Sequence, residues 1–238
     1  MEASVAEAVG GEDLVAVSFS GGLDSSVIAR CASRSVRVVL CSAFASGSRD
    51  AGKVAEASKE LGLELKVALL TREKVDESLR ALELPFAPTL MDRSLWSLYY
   101  WVSKQAQESG ARVMLLGQLA DELFGGYAKY VEVLQKAGPG AAESAMEADF
   151  REYGQRGRIR DVSACGSRVE PRFPFGAARV VELAWGIPPS FKLREGARKA
   201  VLRRAAVLLG VPEDLAGAAK KAAQYSSGIQ KLVAGSHF

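Results

Sequence analysis

Leu14-Val15-Ala16-Val17-Ser18-Phe19-Ser20-Gly21-Gly22-Leu23-Asp24-Ser25-Ser26-Val27-Ile28-Ala29 is the stretch that decides the fold. Its apolar opening, Leu14 to Val17, reads as a buried strand running into a glycine turn. Asp24 and Ser25 can cap the helix that Val27, Ile28 and Ala29 continue. Two glycines let the backbone turn its N–H groups toward one point. The helix N-terminus adds positive potential there, and the serines add hydroxyl donors. That is a cradle for phosphate. It is not a Walker-type P-loop, because no lysine follows the glycines and the turn is shorter. Asp24 is awkward beside a bare phosphate but fits if it holds Mg²⁺ that neutralises the same phosphate. A tight turn before a capped helix is the plainer alternative.

Outward from this segment, strands alternate with helices. Val36 to Leu40, Leu63 to Leu70 and Val113 to Leu116 read as further strands, with helices from Asp50 to about Leu61 and over roughly 91–109. Such alternation indicates a parallel sheet covered by helices on both faces, the α/β class. Beyond residue 140 no strand is evident. Helices are expected around 141–156, 177–185, 197–209 and 225–234, broken by prolines. The expected organisation is an α/β core over residues 1–140 and a helical C-terminal region over 141–238 that completes the same domain. With 238 residues and 48% apolar composition, a chain of this size buries a core without staples.

Two scarcities exclude chemistry. His237 is the single histidine and sits near the end of the sequence, so Ser-His-Asp triads and His-rich zinc sites are excluded. Cys31, Cys41 and Cys165 form no C-x-x-C pair, which argues for buried small hydrophobes rather than a metal or redox site. Asparagine is absent, a composition suited to heat and a thermophile. No apolar run approaches a membrane span and no secretory signal is visible, so a soluble cytoplasmic protein is expected. Residues 1–150 carry 15 Lys and Arg against 21 Asp and Glu, whereas residues 151–238 carry 16 against 7. An acidic body with a basic C-terminal third suits a polyanion held between them.

The fourth strand runs into Gly117-Gln118-Leu119-Ala120-Asp121-Glu122-Leu123-Phe124-Gly125-Gly126-Tyr127. In a parallel sheet every strand's carboxyl end lies on one rim, where ligands bind. Asp24 and Asp121, 97 positions apart, are therefore expected to converge on one crevice. Two carboxylates over a phosphate loop outline a magnesium–nucleotide site. Helix N-terminal acids that complement the dipole are the plain alternative.

These segments carry a resemblance. Ser20 to Ser25 is similar to the pyrophosphate loop (PP-loop) of the N-type ATP pyrophosphatases. Asp121 to Tyr127 resembles the synthetase domain of the asparagine synthetase family, whose fold is adenine nucleotide alpha hydrolase-like. Cys41 to Phe44 looks like that family's adenine-binding edge. Arg172-Phe173-Pro174-Phe175, Arg198 to Arg203 and Lys220 to Gly228 resemble its later motifs in order. The resemblance implies a ligase that uses ATP and Mg²⁺ to adenylate a carboxylate, releases pyrophosphate, and lets ammonia displace AMP. It implies nucleoside contacts at Ser18, Ser42 and Gly117, and phosphate contacts at Ser20, Gly21, Gly22, Asp24 and Ser25. Asp24 and Asp121 become metal ligands, and Lys199 and Lys221 face the phosphates, with Lys220 an alternative to Lys221.

Three departures from that pattern stand out. The family's amidotransferase members open with a catalytic cysteine and a glutaminase domain, which this sequence does not show. Free ammonia or a separate glutaminase is then the expected nitrogen source, and a small-molecule acceptor, by default aspartate, the substrate. The chain is also short for such a domain. Finally, Gln118 stands where the family carries a glutamate proposed as general base, and glutamine cannot take a proton at neutral pH. Two other classes stay open: an ATP pyrophosphatase that modifies tRNA bases, and a nucleotide-binding subunit with decayed activity.

Overall fold

The computed structural model describes residues 1–48, 50–194, 197–218 and 228–235. Five strands, β1 (Leu14–Ser18), β2 (Arg37–Ala45), β3 (Glu64–Leu70), β4 (Val113–Leu115) and β5 (Glu170–Arg172), form one sheet in the order β3-β2-β1-β4-β5. Every pairing is parallel, with Val17 opposite both Leu40 and Leu115. The first four strands form where the sequence places them, β2 running five residues past its expected end at Leu40, to Ala45. The fifth corrects the expectation of no strand beyond residue 140: Glu170, Pro171 and Arg172 pair with Val113, Met114 and Leu115 at the sheet edge. Three residues with a central proline carry no apolar alternation, and a proline is tolerated only where no ladder donor is needed.

Side chains alternate across the strands and bury on both faces. Val15, Val17, Leu40 and Leu115 face α1 (Glu2–Val9), α2 (Leu23–Ala32), α3 (Asp50–Leu61), α6 (Ala120–Phe124), α9 (Ala178–Trp185), α11 (Ala200–Leu208) and α12 (Glu213–Gly217). Ala16, Val39, Cys41 and Met114 face α4 (Arg72–Arg80), α5 (Leu90–Glu108), α8 (Arg158–Cys165) and α13 (Ile229–Ala234). All three cysteines are free and buried in these layers.

Between α6 and α8 the chain forms α7 (Ala128–Glu152), followed by one π-helical turn at Tyr153–Gly157. Its start at Ala128 precedes the expected start at 141. Gly138, at φ 84° and ψ 179°, and Pro139 kink it. The short α10 (Pro189–Lys192) leads toward α11. No described helix is long and apolar enough to cross a membrane.

Candidate functional site

β1 and β4 are adjacent, yet β2 and β3 extend the sheet to one side of them and β5 to the other. The strand order reverses between them, and the crevice beyond such a switch point is where open α/β sheets bind ligands. The loop after β1 and the loop after β4 both open there.

The first loop is shaped from within. Gly21 takes φ +68°, and a Cβ on it would press on the Val54 backbone at 3.2 Å, so only glycine fits. Gly22, not Asp24 or Ser25, stands at the N-cap of α2 and makes no side-chain cap. Ser25 Oγ instead accepts from Ser20 N at 3.3 Å and donates to Gly22 O at 3.2 Å. Ser20 itself is exposed at the loop's crest. Ser18 ends β1, and Ser42, buried in β2, donates through Oγ to the Phe19 carbonyl.

The second loop meets the first at Gly117, where a Cβ would stand 3.2 Å from Asp24 Cβ. Leu119 then adopts a left-handed φ of 73° to start α6. A branched hydrocarbon there is strained, by an order of 1–3 kcal/mol, a cost met with at functional turns.

Asp24 and Asp121 are brought together, and what joins them is Lys199. Its Nζ lies 2.6 Å from both Asp24 oxygens and 2.6 Å from Asp121 Oδ1. The lysine side chain is 3% exposed, the two carboxylates 22% and 20%. Burial pushes the ammonium pKa down, but the two carboxylates outweigh it and hold the group above its ordinary value. Lys199 also has a left-handed φ, 57°, at the N-cap of α11. Gly126 closes over the trio: a Cβ there would collide with Asp121 Oδ1 and come within 2.5 Å of Lys199 Cε. Two carboxylates aimed at one cation, beside a loop of hydroxyls and amides, are a hard oxygen donor set of the kind Mg²⁺ takes when phosphates supply the rest. The residues fit such an ion provided the lysine moves aside.

Glu122, next in sequence, turns inward. Burial first, and then the Asp121 charge, raise its pKa to about 7, and Tyr127 Oη donates to it at 2.6 Å. Gln118 turns to different partners again. Its Nε2 donates to Tyr99 Oη on α5 at 2.9 Å and to Asp161 Oδ2 on α8 at 2.7 Å. Asp161, fully buried, also accepts from Tyr153 Oη at 2.9 Å and Arg160 Nε at 2.7 Å. Sequence reasoning missed Tyr99, Asp161 and Arg160, since the adjacent Arg160-Asp161 pair has no periodicity to set it apart. Lys220 and Lys221 lie outside the described residues, as do His237 and Ser226. Arg172 serves structure: it pairs with Glu170 at 2.8 Å and donates to the Ala8 carbonyl, tying β5 to α1.

With this geometry in hand, known proteins offer a comparison. A protein of Methanocaldococcus jannaschii described as a glutamine-hydrolyzing asparagine synthetase is 30% identical over 264 residues, 97% of this chain and 49% of its own length. The chain thus spans about half of that relative. The asparagine synthetase domain-containing protein 1 of Gallus gallus is 32% identical over 142 residues, 56% of this chain and 22% of its own. Among solved structures, NMN synthetase from Francisella tularensis aligns with a TM-score of 0.51 over 100% of this chain and 87% of its own, at 11% identity. That likeness is one of fold, the adenine nucleotide alpha hydrolase-like arrangement that the resemblance to the asparagine synthetase family implies. The asparagine synthase family profile matches residues 1–160 and 134–235, which together take in both loops, α11 and the sheet between them; the chain belongs to the asparagine synthase family.

Proposed function

We propose that this chain is an ATP-dependent synthetase that adenylates an acceptor carboxylate, aspartate by default, and transfers ammonia to it. The carrying observation is the convergence of Asp24 and Asp121 on one cation at the switch point, beside the Ser20–Ser25 loop. Family membership and the M. jannaschii relative support it.

The carboxylate oxygen of the acceptor attacks the α-phosphorus of ATP, and the bond to the β-phosphate breaks, releasing pyrophosphate. Ammonia then attacks the acyl carbon, the bond to AMP breaks, and the nitrogen loses a proton to give the amide. Ser20, Gly21, Gly22 and Ser25 hold the phosphates through main-chain N–H groups and hydroxyls. Ser18, Ser42 and Gly117 line the nucleoside edge through main chain. Asp24 and Asp121 hold Mg²⁺, which when bound offsets charge on the departing pyrophosphate. Lys199 then turns its ammonium from the carboxylates to the phosphates, joined by Lys221 or Lys220.

The test is pyrophosphate release from ATP with Mg²⁺ and ammonium, screened against amino acids and against total tRNA. Acceptor-dependent pyrophosphate and AMP with an amino acid is the expected result. Release only with tRNA would assign the chain to base modification, and none in any arm would sink the synthetase reading.

A further inference from the structure

Gln118 is half-buried, and Tyr99 and Asp161 take both donors that its amide has. Their grip fixes which way the amide faces. Asp161 is an acceptor-only group when ionised, so it admits the NH₂ end of Gln118 and rejects the carbonyl end. Asp161 is itself immobilised, with Tyr153 also donating to its Oδ2 and Arg160 to its Oδ1. Arg160 Nη1 donates onward to Asp92 Oδ1 at 3.1 Å, and Asp92 closes the capping box of α5 with Thr89. Two helices on one face of the sheet thus orient a single residue of the β4 loop. The amide oxygen, Oε1, is left as a neutral acceptor with no donor among the described residues. It sits one position after Gly117, which packs on Asp24.

We propose that Gln118 Oε1 accepts an N–H from the nitrogen-bearing reactant, ammonia or the amino group of an amino-acid acceptor, and that Asp161 is the positioning residue that aims it. This rests on the synthetase reading. Glutamine here is matched to Asp161 rather than a blank where a base should be. A glutamate would set a second carboxylate 2.7 Å from a buried one, so one of the two would have to stay protonated. Exchanging the partners, glutamate at 118 and asparagine at 161, restores the complementary pair and leaves the other side-chain oxygen at 118 as an acceptor.

Four variants and one resonance test this. Gln118→Met removes the acceptor without adding charge. It should raise KM for one nitrogen reactant in the pyrophosphate-release assay about 2- to 12-fold, the range one hydrogen bond provides. Which KM moves, that for ammonium or that for the amino acid, identifies the source. Gln118→Glu and Asp161→Asn alone should each impair that KM, and the double variant should recover it. In the complex with a non-hydrolysable ATP analogue, the Gln118 side-chain amide signals should shift on titration with ammonium chloride or with the amino acid. Unchanged KM values in Gln118→Met, or a double variant no better than Gln118→Glu, would overturn the proposal. A wild type that releases no pyrophosphate removes only the synthetase reading. The amide titration then decides alone, and signals unmoved by either nitrogen compound overturn the role of Gln118.

Discussion

Lys199 holds a full charge almost out of water, and it does so because the Asp24 and Asp121 carboxylates each reach its ammonium at 2.6 Å. Taking the ammonium away leaves Asp24 and Asp121 opposed. Each carboxylate lies 2.6 Å from the same nitrogen, so their facing oxygens are no more than 5.2 Å apart (2.6 Å twice), and like charges at that limit repel by about 3 kcal/mol at an effective dielectric of 20. A dication arriving at that point relieves the repulsion without first displacing the lysine. Lys199→Met should therefore bind Mn²⁺ or Mg²⁺ at least tenfold more tightly than wild type without nucleotide, as read by calorimetry. Equal or weaker binding would show that the two carboxylates do not form the cation site. The same variant should lose most pyrophosphate release, because the charge destined for the phosphates is gone. Gly126 makes the complementary case. A methyl group there meets Asp121 and Lys199 directly, so Gly126→Ala should cost about 1–3 kcal/mol in urea unfolding, as overpacking does.

Asp92 shows how an element serves a site it never touches. It accepts from Thr89 N at 3.0 Å at the start of α5, and from Arg160 at 3.1 Å across to α8. Burial pushes its carboxyl pKa up, but the Thr89 bonds and the Arg160 charge outweigh that and leave it lowered. A depressed carboxyl contributes stability that is present above its unfolded value, near 3.9, and is lost as pH falls through the lower folded value. Asp92→Asn should thus destabilise by about 1–3 kcal/mol at pH 7, and the gap to wild type should close below about pH 4. Thermal unfolding at pH 3 and pH 7 checks it; a gap that does not depend on pH would mean that packing, not charge, is lost. Elements of this kind were legible in the sequence to different depths. Leu14–Val17 and Val113–Leu116 announce themselves because strands buried on both faces read as apolar runs, and Gly21-Gly22 because its turn demands glycine. The convergence of Asp24 with Asp121 followed from parallel topology alone. β5 was not legible, since Glu170-Pro171-Arg172 becomes a strand only through its neighbour β4. Nor was the grip on Gln118, whose partners lie 19 and 43 residues away and are chosen by how α5 and α8 pack.

Across the whole molecule, the acidic first part and the basic remainder are stitched together at many places, three of which bear on the candidate nucleotide rim or the sheet. β5 completes the sheet begun by β1–β4, Ser4 on α1 donates to the Pro174 carbonyl, and Lys199 reaches from α11 into the loops after β1 and β4. The division into a core over 1–140 and a region over 141–238 that completes the same domain is therefore proposed as one folding unit. α9, α11 and α12 share an apolar layer with β1 and β4, so neither part can open without exposing the other's buried face. Hydrogen exchange read by mass spectrometry in rising urea should then give one global opening free energy for amides of β1, β4, α9 and α11. Mg–ATP, bridging both parts, should raise that energy for all four together, by about 2.7 kcal/mol at a hundred times its Kd. If α9 and α11 open at lower urea than β1 and β4, the C-terminal region is a separate unit, and a ligand that protects one set alone would place the nucleotide on that side of the seam.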